Sequence, residues 1–183
     1  MKFLRTTGTV AALQLLAQTD FAARNWGTYD SLGFGISFHY CNAGLVNNML
    51  AMHSAGRSIA TERVSYTLFK NSIAGAATNQ FVGIALRWGS HRNVFTNAIA
   101  VSNQEEGFMF WQSSNNYFAS FIARFNFVGN TGCNPPNGYC DITFQNYNTA
   151  TSGPPSINNF LRIGEWGSTW NQPADTPNTV TQY

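Results

Sequence analysis

Eight acidic side chains serve a chain of 183 residues, and four of them are the glutamates Glu62, Glu105, Glu106 and Glu165. Hydrolysis of a glycosidic bond needs two carboxyl groups across a sugar, about 5–5.5 Å apart for retention or about 6.5–9.5 Å for inversion. Glu165 lies in RIGEWGS beside a tryptophan and Glu62 leads into RVSYTLF, so these two form the candidate catalytic pair. Glu105 and Glu106 fall in SNQEEGF, a polar turn whose adjacent carboxylates face water. The histidines His39, His53 and His91 are widely spaced and lack an HExxH-type pairing, so no metal site is expected. A GxSxG elbow is absent, and the GFG at 33–35 leads into a predicted strand, so no cofactor is expected either.

The tryptophans carry a second kind of chemistry. Three of the 5 stand in Trp-Gly-Ser/Thr triplets, at Trp26, Trp88 and Trp166. On a structural reading, each ring closes the end of the core, the glycine supplies a positive-φ turn and the hydroxyl satisfies a free backbone group. On a functional reading, aromatics at strand edges form a platform for sugar rings, with amides and hydroxyls beside them. The candidate glycan-binding residues are then Trp88 with His91 and Asn93, Trp111 with Tyr117 in the following QSSNNY, and Trp166 with Trp170.

Composition narrows the setting. Charged residues are only 10% of the chain while 15% are aromatic, so its surface is polar mainly through amides and hydroxyls. A net charge of +2 and two lysines, Lys2 and Lys70, leave no basic stripe for a phosphate backbone, and nucleic acid is not an expected partner. Cys133 and Cys140 bracket NPPNGY, a predicted reversal, and a disulfide between them would contribute about 2–3 kcal/mol and imply an oxidising compartment. A zinc site would need a second cysteine pair, and Cys41 is left as a buried thiol. The opening MKFLRTTGTVAALQLLAQ reads either as a secretory signal or as an amphipathic helix with Val10, Leu13, Ala17 and Phe21 on one side. No stretch approaches the about 18 apolar residues of a membrane helix. The twenty-one asparagines include no Asn-x-Ser/Thr acceptor, which argues against a eukaryotic secretory origin within an extracellular localisation.

These residues need a scaffold, and the signal from residue 34 onward is strand. FGISFHY, RVSYTLF, FVGIALRW, VFTNAIAV, GFMFW, YFASFIARFNFV, CDITFQNY and NFLRIGEW are short, β-branched or aromatic, and bounded by Gly, Asn or Pro. GLVNNMLAMHSAG reads as a short helix or a loop across a sheet edge. With no βαβ rhythm, and no evident period of about 20–50 residues to mark a solenoid, the expected fold is an all-β antiparallel two-sheet sandwich or jelly roll. The predicted layout is an N-terminal helix or signal-like segment over 1–24, one β-sandwich domain over 25–170 and an extended tail over 171–183. The run RVSYTLFKNSIAGAATNQFVGIALRW resembles the strand-loop-strand of jelly-roll endoglucanases, but Phe81, Val82 and Gly83 stand where those enzymes carry a glutamate. Low charge, surplus aromatics and two extended termini lead to the expected function: a non-catalytic structural subunit of a surface filament, coat or virion, partnered with itself. A secreted glycan-binding module is the alternative, and a glycosidase-like jelly roll the third reading.

Overall fold

The computed structural model describes residues 2–4, 11–78, 82–126, 141–145, 156–166 and 178–182. Its fifteen strands are numbered in chain order and belong to two sheets. One sheet has nine strands: β1 (Lys2–Leu4), β3 (Ala22–Tyr29), β5 (Leu45–Met52), β7 (Leu68–Gly75), β9 (Val94–Val101), β11 (Tyr117–Phe118), β12 (Phe121–Arg124), β14 (Phe160–Trp166) and β15 (Thr179–Gln182). The other has six: β2 (Ala11–Leu16), β4 (Phe34–His39), β6 (Ile59–Glu62), β8 (Ile84–Arg87), β10 (Phe108–Trp111) and β13 (Ile142–Gln145). Every strand pairing among the described residues is parallel. The chain is a β-solenoid of about 6 turns, in which each coil visits both sheets and returns one strand further along.

This overturns the expected antiparallel sandwich or jelly roll. Alternation places residues on faces, but it is the same for both strand directions and cannot choose a partner. Here the partner is the equivalent residue one coil away, at sequence separations of 23 to 26 through most of the chain. Leu45 pairs Leu68, which pairs Val94. The endoglucanase-like hairpin fails for the same reason, since β7 and β8 lie in different sheets. Ala11–Leu16 is a strand where a helix or a signal-like segment was expected, and the GLVNNMLAM segment, expected as a short helix or a loop, forms β5. Among the described residues no disulfide is found, and Cys133 and Cys140 lie outside them; Cys41 is a buried free thiol. Among the described residues no helix is long and apolar enough to cross a membrane.

The interior is built in columns. Ile36, Ile59, Ile84, Phe108 and Ile142 of the six-stranded sheet face Phe69, Phe95 and Phe118 of the other, and all are buried. Phe69, Phe95 and Phe118 stack at 4.4 Å per step with planes 5° and 4° apart, so one ring per coil continues the stack. Each such ring contributes about 1.5–3 kcal/mol by burial and gains further from its aromatic neighbours.

The asparagines hold the corners between sheets. Thr67, Asn93, Asn116, Asn159 and Asn178 form one ladder, in which each Oδ1 accepts the backbone N–H of the preceding member at 2.9–3.1 Å. The amide nitrogens complete it, as Asn93 Nδ2 donates to Asn116 Oδ1 and to the Val64 carbonyl. A second ladder runs Ala77, Asn103, Asn126, Asp141. These side chains satisfy backbone donors that a corner withdraws from the sheet.

Turning itself is done by left-handed residues. Among the described residues, twenty other than glycine have positive φ. By coil position they fall into four columns, one of which is asparagine throughout: Asn25, Asn48, Asn71 and Asn97. Asparagine tolerates this conformation, which costs other L-residues about 1–2 kcal/mol.

Candidate functional site

The corner that follows the six-stranded sheet concentrates the side chains the interior does not use. The last residues of β4, β6, β8 and β10 are in register, so His39, Glu62, Arg87 and Trp111 form one row across four coils. Glu62 is committed at both oxygens. Its Oε2 lies 3.0 Å from His39 Nδ1 and its Oε1 accepts from Arg87 Nη1 at 2.9 Å. Burial pushes the Arg87 guanidinium down to about 10, with nearby Arg57 acting the same way and Glu62 opposing, so it stays cationic at neutral pH. That cation lies 4.0 Å from the Trp88 ring centroid and 4.8 Å from that of Trp111, and the two indoles are 5.6 Å apart. The carboxylate thus fixes the guanidinium, and the guanidinium fixes two tryptophans.

Immediately outside this row lie two of the left-handed columns. The first carries Tyr40, Arg63 and Trp88 on successive coils, and the second carries Tyr66 and Arg92. All five are exposed; Tyr40 is 54% accessible, Tyr66 52% and Trp88 41%. The Arg63 guanidinium carbon sits 5.1 Å from the Tyr40 ring centroid, and Nη1 donates to the Tyr40 hydroxyl at 3.2 Å. Arg92 repeats this on Tyr66, at 5.4 Å from the ring and hydrogen-bonded to its hydroxyl. His91 meets Tyr66 edge-on at 5.9 Å. Rigid aromatic faces beside oriented guanidinium groups can stack on flat apolar faces and donate to oxygens at the same time.

A second charged group shares Glu62 and Arg87 with the His39–Glu62–Arg87 row: Arg57, Glu62, Arg87, Glu105 and Glu106 interact electrostatically. Burial pushes Glu105 up to about 7 against the pull of Arg57, and lowers Arg57 against its acidic neighbours. Glu106 is fully buried, where the sequence read it as a water-facing turn residue. Among the described residues no three His, Cys, Asp or Glu side chains gather to hold a metal.

The sequence-derived candidates separate. Trp88 and Trp111 come together at the corner. Asn93 is buried in the asparagine ladder. Tyr117 is half-buried in β11, in register with Val94 and Phe160 of the nine-stranded sheet. Glu62 and Glu165 lie in different sheets, Glu165 in register with Ile122 in β14, and Glu62 is held by His39 and Arg87. Trp166 is also in β14, opposite Ala123, and Trp170 lies outside the described residues. The three Trp-Gly triplets do not form one feature, since Trp26 packs inward against Phe38 with ring centroids 6.1 Å apart. The Tyr-Arg stacks were missed by sequence reasoning. Their signal is the separation of 23 and 26 residues that places Tyr40 beside Arg63 and Tyr66 beside Arg92.

Fold and surface together define a parallel β-solenoid with an aromatic and cationic corner. Comparison with protein-family models, with curated proteins and with solved structures gives no match to this chain.

Proposed function

We propose that this protein binds carbohydrate polymers along the corner lined by Tyr40, Arg63, Tyr66, Trp88 and Arg92, and that it does so outside the cell. The observation that carries this reading is the Trp88–Arg87–Trp111 cluster, in which one guanidinium packs on two indoles, with Trp88 at 41% exposure on a backbone of φ 46. Trp88 packs on Arg87 and Trp111 yet leaves part of its ring at the surface in a costly backbone conformation, and strained outliers of this kind gather at binding sites. The corner is also linear, advancing about 4.8 Å per coil, so it offers a repeating surface to a repeating ligand. The test is affinity electrophoresis and titration against a panel of polysaccharides with wild type and Trp88→Ala. Binding weakened about tenfold, equivalent to about 1.4 kcal/mol, with unchanged far-UV circular dichroism, supports the site. Undiminished binding in the variant removes it.

A second reading is a structural subunit that associates with itself in a filament, coat or virion. The observation favouring it is that β2 and β13 end the six-stranded sheet, each with one neighbouring strand among the described residues. Pairing of one edge with the opposite edge of another copy is head-to-tail and does not close, so it would produce fibres. Light scattering at rising concentration tests this, because a mass fixed at 20.2 kDa is incompatible with it.

A further inference from the structure

We infer that the polymer bound at this corner is a polyanionic glycan, whose carboxylate or sulfate groups are taken by Arg63 and Arg92; this rests on the carbohydrate-binding reading above. The arginines of the corner and of the second charged group divide into two kinds. Arg87 is buried and paired with Glu62, and Arg57 lies among Glu105, Glu106 and Glu62. Arg63 and Arg92 are exposed, and among the described residues neither has a carboxylate within ion-pair distance. The acidic residue sharing a column with Arg92 is Asp20, with Ala43 and Tyr66 standing between them.

The two free guanidinium groups are also pre-oriented. Each lies over the tyrosine of the preceding coil and donates to its hydroxyl, in two different columns. A stacked guanidinium loses less rotamer freedom on binding, and its remaining N–H donors match the paired oxygens of a carboxylate or sulfate. Arg63 and Arg92 stand on consecutive coils, about 4.8 Å apart along the axis, so a chain running along the solenoid meets both. The whole molecule carries only +2, so recognition would come from these two placed charges and not from bulk attraction.

The experiment compares retention on immobilised polygalacturonate and dextran sulfate with retention on unmodified dextran and on a single-stranded DNA 20-mer. Wild type, the double variant R63Q/R92Q and the control R24Q, an exposed arginine on the nine-stranded sheet, are run across a salt gradient. The inference expects binding to one or both anionic glycans, loosened by salt, weakened at least about tenfold in R63Q/R92Q and unaltered in R24Q, with unchanged circular dichroism. Binding to dextran as strong as to the anionic polymers, and untouched in R63Q/R92Q, overturns the charge inference and leaves the carbohydrate reading standing. No binding to any glycan overturns both. Preference for DNA over the anionic glycans overturns the glycan assignment while retaining the two arginines.

Discussion

Replacement of Asn116 by alanine is the sharpest test of how the coils are held together. The Asn116 side chain makes four hydrogen bonds. Its Oδ1 accepts from the Asn93 backbone N–H at 3.1 Å and from Asn93 Nδ2 at 3.0 Å, while its Nδ2 donates to Asn159 Oδ1 at 2.9 Å and to the Ser90 carbonyl at 3.1 Å. Three of those partners keep another bond after truncation. Asn93 Nδ2 still reaches the Val64 carbonyl, Asn159 Oδ1 still accepts the residue 116 backbone N–H, and the Ser90 carbonyl still accepts from Ser114. The Asn93 backbone N–H is left with none, inside a corner where Asn93 and Asn116 are both at 0% exposure. An orphaned buried donor costs about 1–3 kcal/mol, and the small void adds to it, so Asn116→Ala should destabilise by about 2–4 kcal/mol. Asn48→Ala is the matched control. Its amide also bonds one coil in each direction, to Asn25 and from Asn71, but those bonds lie at the surface, where water substitutes. The cost there is that of alanine in a left-handed position, about 1 kcal/mol. Urea unfolding of both variants, followed by tryptophan fluorescence, gives the comparison. If Asn116→Ala costs no more than Asn48→Ala, the ladder is not what secures the corner.

Two further outcomes follow from the charged groups. Glu62→Gln leaves the Arg87 cation buried with a weaker partner and should cost about 2–3 kcal/mol, below the about 3–5 kcal/mol of an abolished buried pair because the amide oxygen still accepts; the double variant Glu62→Gln/Arg87→Met should recover part of that loss in urea unfolding. For Glu105, the folded carboxyl stands near 7 against an ordinary value of 4.5, mainly through burial. The folded state therefore holds its proton where the unfolded chain has lost it, so this group's contribution falls as pH rises from about 4.5 to about 7 and is flat above. Wild type should lose stability relative to Glu105→Gln across that window, and parallel pH profiles for the two proteins would refute the assignment.

Several strand positions after residue 34 were readable from the sequence, but β2, β3 and β5 were not, and neither were the strand partners. VFTNAIAV and GFMFW fall on β9 and β10, because β-branched and aromatic alternation marks an extended half-buried segment whichever way its neighbour runs. The coil length was written too. Asn25, Asn48 and Asn71 are evenly spaced, and Ile36 and Ile59 on the other sheet repeat the same separation once. Extra residues in the coil from β7 to β9 then set Asn97 at a separation of 26 from Asn71, which breaks the even spacing. The site was half legible for a related reason. Tryptophan next to glycine marks a corner at Trp88, where Gly89 has φ 87, but the same dipeptide at Trp26 lies within a strand. What brings Arg87 and Trp88 against Trp111 is a contact between coils, and that distance exists only once the register is known.

The left-handed columns explain why chemistry collects at this corner. A residue in that conformation leaves the alternation of the strand and presents its side chain outward, so the fold places few packing demands on it. Backbone preference alone would fill such positions with asparagine or glycine, as it does at Asn25, Asn48, Asn71 and Asn97. The two columns beside the His39–Glu62–Arg87 row hold Ala17, Asp20, Ala43, Gln112, Asn115 and Asn158, but also Tyr40, Arg63, Trp88, Tyr66 and Arg92, each of these five at the cost of a conformation its side chain disfavours. A change to Asn at Trp88 or Arg92 should therefore raise stability while removing ligand contacts. A stabilising gain together with lost glycan binding would locate the selective pressure in the side chains and not in the fold. Reduced stability in both variants would mean instead that the aromatic and guanidinium stacks hold the corner together.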